Sequence, residues 1–148
     1  MAFHFTLESV LTLRKNIEEQ IQLKLAREQM ILNAHQLRLE DLKKKRADLC
    51  LVMEEKKKQT LAVKIFLFYM ESMRIQELQI HILTNTIAAQ QQIVAGVRTE
   101  LAEAMKQRKI LDVLKENALL KYLDETRRKE QNESDEQALL RYGRGIVL

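Results

Sequence analysis

The sequence predicts an all-α fold, in which two long helices form an antiparallel coiled-coil hairpin and the second helix is the longer one. Of the 148 residues, 77 are Ala, Glu, Lys, Leu or Arg, and the chain holds three glycines and no proline. This composition is typical of long helices and too poor in turn residues for a layered globular domain. Apolar residues also recur at heptad spacing in two stripes of different phase, so each helix can bury its stripe against the other. We therefore expect a single coiled-coil domain over residues 1–148.

The first helix is predicted over about residues 4–54. Alternating steps of four and three residues from Leu7 to Met53 give fourteen positions, of which nine are apolar. The apolar positions are Leu7, Leu11, Ile21, Leu25, Leu32, Leu39, Leu42, Leu49 and Met53. The breaks in this stripe are Arg14, Glu18, Glu28, His35 and Arg46. Breaks of this kind loosen a coiled coil or mark its register.

A chain reversal is predicted between the two stripes, over about residues 55–63. The segment contains three consecutive lysines at residues 56–58, but neither glycine nor proline marks a turn there. The alternative is one continuous helix that dimerises with a second copy of the chain. The different phases of the two stripes favour the hairpin.

The second helix is predicted over about residues 64–141, and its stripe is more regular than the first. Two heptad rows that start at Phe66 and Tyr69 give seventeen positions, of which thirteen are apolar. The polar positions are Gln76, Gln90, Arg108 and Lys115. Gly143 and Gly145 follow, and glycine just beyond a helical segment favours its end there.

The two predicted helices differ in length, which leaves part of the second without a partner. A reversal near residue 59 places Met53 near Phe66 and Leu7 near Asp112. The second helix then extends beyond the first by about 25 residues, or roughly 35 to 40 Å at 1.5 Å per residue. The apolar residues expected in this overhang are Leu114, Leu119, Leu120, Tyr122 and Leu123, ahead of the charged residues 124–136.

Composition also argues against several function classes. The longest apolar run, residues 65–70, is far shorter than the roughly 20 residues that a membrane-spanning helix needs. No signal peptide is recognisable, and the single Cys50 cannot form an intramolecular disulfide. The 25 basic and 21 acidic residues leave a small positive excess, which does not by itself indicate nucleic acid.

No catalytic set is visible. His4, His35 and His81 lie in different regions, with no cysteine or carboxylate at ligand spacing, and the chain has no glycine-rich phosphate loop. We expect no enzyme activity, no cofactor and no metal ion. The basic residues 43–46 suggest a basic-region zipper, but the apolar stripe already runs past them, and such runs are usually a solvated face. We therefore expect no binding to nucleic acid.

The two ends of the chain are apolar. Antiparallel helices bring the N-terminal residues to the end from which the overhang emerges, and the chain closes on Ile146, Val147 and Leu148. The N-terminal apolar residues are Phe3, Phe5, Leu7, Val10 and Leu11. They are explained either by core packing or by a helical tip that inserts into a ring or groove of a partner.

Three blocks of residues carry a family resemblance. The first holds Phe3, His4, Phe5, Thr6 and Leu7, followed by Val10, Leu11, Leu13 and Arg14. The second holds Phe66, Tyr69, Met70 and Met73. The third is residues 109–116, followed by residues 128–131 and by Asp135 and Glu136. In their order and spacing these blocks resemble the flagellar FliJ family, soluble components of the bacterial flagellar type III export apparatus.

The resemblance implies an antiparallel coiled coil similar to the central stalk subunit of rotary ATPases. It also implies association with the hexameric flagellar export ATPase and with the cytoplasmic domain of the membrane export gate, and a link to export chaperones. The expected location is the cytoplasm, at the cytoplasmic face of the inner membrane at the flagellar base, with a part in flagellum biogenesis and chemotaxis.

Carried over by position, the gate-contacting region falls on the first turns of the second helix. The candidate gate-binding residues are Phe66, Tyr69, Met73 and Ile80. These residues also belong to the apolar stripe, so core packing is the alternative role. Gln76 and Glu77 depart from the family's pattern there, and the alternative exposed residues are Phe68, Met70 and Ile75.

The candidate ATPase-ring-binding residues lie at the overhang and the paired termini: Phe3, Phe5, Leu119, Tyr122 and Leu123. The predicted function is a non-enzymatic rod that couples the ATPase ring to the export gate and assists delivery of chaperones and substrates. Two alternatives stay open: the equivalent stalk of a type III injectisome, and a homodimeric coiled-coil scaffold unconnected with export.

Overall fold

Two long helices form the fold. The computed structural model describes residues 2–59 and 62–146, without the side chain of Ile146. Helix α1 spans Glu8–Lys57 and helix α2 spans Val63–Ile146, and the described residues contain no strand. With 84 residues against 50, α2 is the longer helix. The two helices pack against each other as an antiparallel hairpin, which confirms the predicted fold class.

Helix α1 is uninterrupted because its sequence contains no glycine or proline that would weaken or break the backbone ladder. Glu8 lies in its first turn and Lys57 in its last, where each charge is favourable to the helix dipole. The helix begins at Glu8 and not near residue 4, because residues 2–5 are not helical. The carbonyl of Phe5 accepts a hydrogen bond from the Glu8 N–H at 3.1 Å.

Helix α2 continues through the two glycines that were predicted to end it. Gly143 and Gly145 both lie in the helix, which reaches Ile146 instead of ending near residue 141. Neither glycine has a positive φ, so neither adopts the left-handed conformation that closes a helix. The predicted apolar terminus lies beyond the described side chains, which end at Gly145.

The connection between the helices needs no special backbone conformation. The N–H groups of Lys58 and Gln59 donate to the carbonyls three residues earlier, at 3.3 and 3.2 Å, and so tighten the end of α1. Two residues of the predicted turn, Thr60 and Leu61, lie outside the described residues. No described residue has a positive φ. No described position in this connection therefore has a backbone conformation that would require glycine.

The described residues fall into two compact units. The central unit comprises Gln20–Leu101, and the terminal unit comprises Met1–Glu19 together with Ala102–Leu148. The core of the central unit is Leu32, Leu83, Ile87 and Val94, packed against Leu25, Leu39 and Leu42. In the terminal unit the buried apolar residues are Phe5, Leu11 and Ala104. The prediction of one domain over residues 1–148 stays a prediction.

The predicted apolar stripes form the packing surface within each unit. All seventeen positions of the second stripe are buried or half-buried, including its four polar ones. Thirteen of the fourteen positions of the first stripe are also buried or half-buried, and the exception is Leu7. Heptad spacing therefore identified the contact faces of both helices.

In the central unit Gln90 lies opposite Glu28, within one residue of the predicted register, whereas in the terminal unit the register is shifted by at least about one helical turn. In the terminal unit, Lys115 Nζ lies 2.9 Å from a carboxylate oxygen of Glu8, whereas the predicted register put Glu8 near Leu111. The rings of Phe3 and Tyr122 also pack together, with centroids 5.5 Å apart. The residues up to Tyr122 therefore lie alongside the N-terminal segment and not in an overhang. The continuously exposed part of α2 is residues 127–145, roughly 30 Å of helix.

Candidate functional site

Polar positions of the two stripes are paired with each other in the terminal unit. The Arg108 guanidinium donates to the carboxylate of Glu18, a residue that is only 7% exposed, and also to Asp112 Oδ2 at 2.6 Å. These two hydrogen bonds, with that to Glu18 the larger cause, raise the pKa of Arg108 above its usual range. The buried carboxylate of Glu18 is thus paired with the Arg108 guanidinium, which remains protonated.

The central unit contains equivalent pairs. Gln90 is buried, and its Nε2 donates to both the backbone carbonyl of Glu28 at 3.0 Å and the Glu28 carboxylate at 2.5 Å. Arg46 forms an ion pair with Glu77. Each break in the first stripe named here has a partner on α2, which is the arrangement by which polar residues fix register in coiled coils.

The four candidate gate-binding residues are half-buried in the central unit. Phe66, Tyr69, Met73 and Ile80 all lie on the packing face of α2, and none is fully exposed. The Tyr69 hydroxyl accepts a hydrogen bond from Lys56 Nζ at 2.8 Å, and the same ammonium lies 5.1 Å from the ring centroid. These contacts join the end of α1 to the beginning of α2, so the four residues have a packing role whatever else they do.

Neighbouring apolar side chains on the same turns face solvent. Leu67 is 59% exposed, Phe68 is 68% exposed, and Met70 and Ile75 are exposed as well. Leu78 and Ile82 continue this exposed set along α2. We call the six residues Leu67, Phe68, Met70, Ile75, Leu78 and Ile82 the central apolar surface. Exposed apolar side chains on one side of a helix suit contact with a partner protein.

The five candidate ring-binding residues divide into two sets in the terminal unit. Phe5 is 7% exposed and Phe3 packs on Tyr122, so these three residues mainly hold the N-terminal segment against α2. Leu119 and Leu123 are exposed on α2. The structure therefore brings the five residues into one unit but exposes only two of them.

One further group of exposed apolar side chains lies near the end of α2 and was not singled out from the sequence. Leu139, Leu140 and Tyr142 are 63–70% exposed within the part of α2 where every described residue from 127 onward faces solvent. The signal that could have identified them is their position directly after the charged stretch 124–136. Two leucines and a tyrosine on an unpaired helix end suit insertion into an apolar groove.

Residues 2–59 and 62–146 contain neither a candidate metal cluster nor a helix that could span a membrane. No group of three or more His, Cys, Asp or Glu side chains in these ranges could hold a metal ion. Neither helix, over the same ranges, has a stretch with the length and hydropathy needed to cross a bilayer. The candidate contact residues are therefore the central apolar surface and, in the terminal unit, the exposed residues Leu119, Leu123, Leu139, Leu140 and Tyr142.

Comparison with known proteins identifies a matching family. The family model described as flagellar FliJ protein matches residues 3–146 of this chain. No curated protein and no solved structure matches it. The family match includes nearly all residues of both units.

Proposed function

Because this chain belongs to the flagellar FliJ family and is therefore a component of the flagellar protein-export apparatus, we propose that it couples the hexameric export ATPase to the membrane export gate. It does so as a non-enzymatic subunit in the cytoplasm, at the inner-membrane face of the flagellar base. The observation that carries the proposal is that each unit exposes large apolar side chains beside the residues singled out by the family resemblance.

The central apolar surface is the proposed contact for the cytoplasmic domain of the gate. Phe68 and Leu67 would provide most of the contact area, since they are the two most exposed of its residues. The half-buried candidates Phe66, Tyr69, Met73 and Ile80 would support this surface and contribute their exposed edges. Apolar anchors on a rigid helix are the usual source of binding energy in such contacts.

The terminal unit is the proposed contact for the ATPase ring. Its exposed apolar residues are Leu119 and Leu123 and, nearer the end of α2, Leu139, Leu140 and Tyr142. Phe3, Phe5 and Tyr122 would act mainly by holding the N-terminal segment in place. Coupling requires that this subunit binds two conformations of a partner with different affinities. A subunit that bound both conformations equally would not shift the equilibrium between them. The role in delivering chaperones and substrates is supported by the family membership alone.

A pull-down of the full chain with the purified cytoplasmic domain of the gate tests the first contact. We expect the double substitution Leu67→Ser and Phe68→Ser to weaken binding at least about tenfold, since exposed aromatic and aliphatic anchors dominate such interfaces. Circular dichroism should remain unchanged because both side chains face solvent. Retained binding by this variant would contradict the proposed surface.

A matched control distinguishes a specific surface from general hydrophobic adhesion. Leu23 and Met30 are as exposed as Leu67 and Phe68 but lie on α1 of the same unit. The double substitution Leu23→Ser and Met30→Ser should leave gate binding unchanged. An equal loss in both variants would show that exposed apolar area, and not its position, governs the interaction.

A further inference from the structure

A second apolar face of the terminal unit has no role in the contacts proposed above. It lies on α2 over residues 102–114, where an open depression of about 650 Å³ is lined by both apolar and lysine side chains. We call this the outer stripe, and its members are Ala102, Met105, Lys106, Lys109, Ile110, Val113 and Leu114. Ile110 and Val113 are each 53% exposed, and Leu114 is exposed as well.

The outer stripe lies away from the face of α2 that packs on α1. Residues 102, 106, 109 and 113 follow the four-three-four spacing that keeps side chains on one side of a helix. Between them, Ala104 is buried and Arg108 and Leu111 are half-buried, and these belong to the packing stripe. This part of α2 therefore carries two apolar faces, of which only one has a partner in the described chain.

The two lysines of the outer stripe have no partner either. Neither Lys106 nor Lys109 makes a hydrogen bond or ion pair with any residue in the described ranges, and both are exposed. Asp112 is paired with Arg108, and Glu103 accepts from the neutral amide of Gln107 at 3.3 Å without forming an ion pair with Lys106. No acidic side chain lines the depression. The stripe thus combines apolar area with two lysines that form no ion pair within the described residues.

We propose that the outer stripe binds an amphipathic helix of another protein whose apolar face is flanked by Glu or Asp residues. An open apolar strip along one helix suits the apolar face of a second helix laid against it. The lysine ammonium groups then pair with carboxylates at the edge of that helix, which fixes orientation and speeds association. In this arrangement the apolar side chains of the stripe pack on the apolar face of the bound helix, and its two lysines pair with carboxylates.

A second copy of this chain is the less suitable occupant. An isologous contact between two antiparallel copies of α2, centred on the stripe, would bring Lys106 and Lys109 of one copy close to the same lysines of the other. Like charges held at such short range destabilise a contact. The stripe is also only roughly 20 Å long, which is short for the area that a stable dimer buries.

The inference does not depend on the proposed contacts with the ATPase and the gate. It uses a different face of the terminal unit, and its test needs neither of those proteins. The probe is a fluorescein-labelled synthetic helix of about 18 residues, with leucines on one face and glutamates at both edges of that face. The matched probe carries lysine at each glutamate position.

Fluorescence anisotropy with the full chain tests both probes. We expect the acidic peptide to bind at least about tenfold more tightly than the basic one, and this preference to shrink as salt is raised. The double substitution Lys106→Glu and Lys109→Glu should reverse the preference. The double substitution Ile110→Ser and Val113→Ser should weaken binding of the acidic peptide about tenfold. All four side chains are exposed, so circular dichroism should stay unchanged.

The matched control is a lysine pair in the central unit. Lys57 and Lys58 are also exposed, and the double substitution Lys57→Glu and Lys58→Glu should leave peptide binding unaltered. Equal loss in this control, or no binding of the acidic peptide to the parent chain, would overturn the proposal. Self-association of the parent that disappears in the Ile110→Ser and Val113→Ser variant would overturn it in favour of a second copy.

Discussion

At the residue scale, Gln76 illustrates how an exception within the packing stripe affects stability. Its side chain is half-buried on α2, and its Oε1 has no hydrogen-bond donor among the described residues. A buried acceptor without a donor costs free energy, and replacement by an apolar side chain of similar length removes that cost. We expect Gln76→Leu to raise the free energy of unfolding by about 1 kcal/mol, measured by urea denaturation.

The neighbouring Gln79 provides a matched control for that substitution. Gln79 is exposed on the same helix, so Gln79→Leu should change the free energy of unfolding by less than about 0.5 kcal/mol. A destabilised Gln76→Leu variant would show that the amide is hydrogen-bonded in solution and would contradict the expected gain.

Also at the residue scale, the exposed pair of Glu71 and Arg74 predicts a specific pH dependence. Two hydrogen bonds from Arg74, at 2.6 and 3.1 Å, lower the pKa of the Glu71 carboxyl below its ordinary value. Since the folded pKa is lowered, the stabilisation is present above the ordinary pKa and is lost as pH falls through the lowered one. Both groups face solvent, so the effect on stability is small.

NMR titration of the Glu71 carboxyl checks this prediction directly. Arg74→Gln should raise the pKa of Glu71 towards its ordinary value, because the hydrogen bonds to a charged donor are lost. Lys64→Gln serves as the control, since Lys64 is also exposed on α2 but is not a cause of the shift. An unchanged pKa in Arg74→Gln would rule out the hydrogen-bonded pair in solution.

At the scale of the helices, the pair of Glu18 and Arg108 is expected to fix the register of the terminal unit. Glu18→Ala removes the carboxylate and leaves Arg108 with Asp112 alone. We expect the midpoint of thermal unfolding to fall by roughly 3 to 6 °C. Replacing both residues by leucine should restore it, because apolar packing substitutes for a buried ion pair without the desolvation cost.

An exposed ion pair provides the comparison for that prediction. Asp41 and Lys45 form an i,i+4 pair on α1 with both side chains more than half exposed, so Asp41→Ala should have almost no effect on the midpoint. If the double leucine variant unfolds at a lower temperature than Glu18→Ala, the pair contributes net stability and not only register.

The helices, their contact faces and the register of the central unit could be predicted from the sequence, whereas the register of the terminal unit could not be predicted from the apolar residues alone. Leucine-rich heptads remain in phase when one helix slides along the other by a whole repeat, so the stripes do not select one register. Polar pairs do restrict the register within each unit: Glu18 with Arg108 and Glu8 with Lys115 in the terminal unit, and Glu28 with Gln90 in the central unit. Matching the polar breaks of the two stripes would have supplied this information.

The candidate site residues stay predictions, but the structure shows that an apolar stripe supplies few exposed contact residues. Residues chosen from an apolar stripe, such as Phe66 and Met73, are those the hairpin uses for its own packing. The exposed side chains that we propose as contacts lie on the opposite side of the helix, where Phe68 and Val113 fall outside the heptad pattern. The non-helical N-terminal segment, with Phe5 buried, carries no periodicity from which its packing could be inferred.

At the scale of the whole molecule, the proposed function assigns different partners to the two units. The gate contact uses the central apolar surface, and the ATPase contact uses side chains of the terminal unit, including the exposed end of α2. Substitutions in one unit should then abolish binding to its partner and leave binding to the other partner unchanged. A variant that lost both interactions at once would indicate unfolding or a shared site, and so would contradict the division.

Deletion of residues 127–148 tests this division. Every described residue from 127 to 145 is exposed, so the deletion removes solvent-facing helix and should leave the midpoint of thermal unfolding unchanged. Binding to the purified ATPase should fall at least about tenfold, because Leu139, Leu140 and Tyr142 are lost. Binding to the gate domain should be unaltered. Light scattering should give a monomer for the parent chain of 17.4 kDa and for the shortened one.

The triple substitution Leu139→Ser, Leu140→Ser and Tyr142→Ser distinguishes the apolar side chains from the helix that carries them. It keeps the length and the charged residues 127–136, so the same loss of ATPase binding would assign the contact to the three side chains. Loss on deletion but not on substitution would assign it to the charged stretch instead. A dimer whose midpoint of unfolding falls on deletion would mean that this end of α2 packs on a second copy, which would support the scaffold alternative.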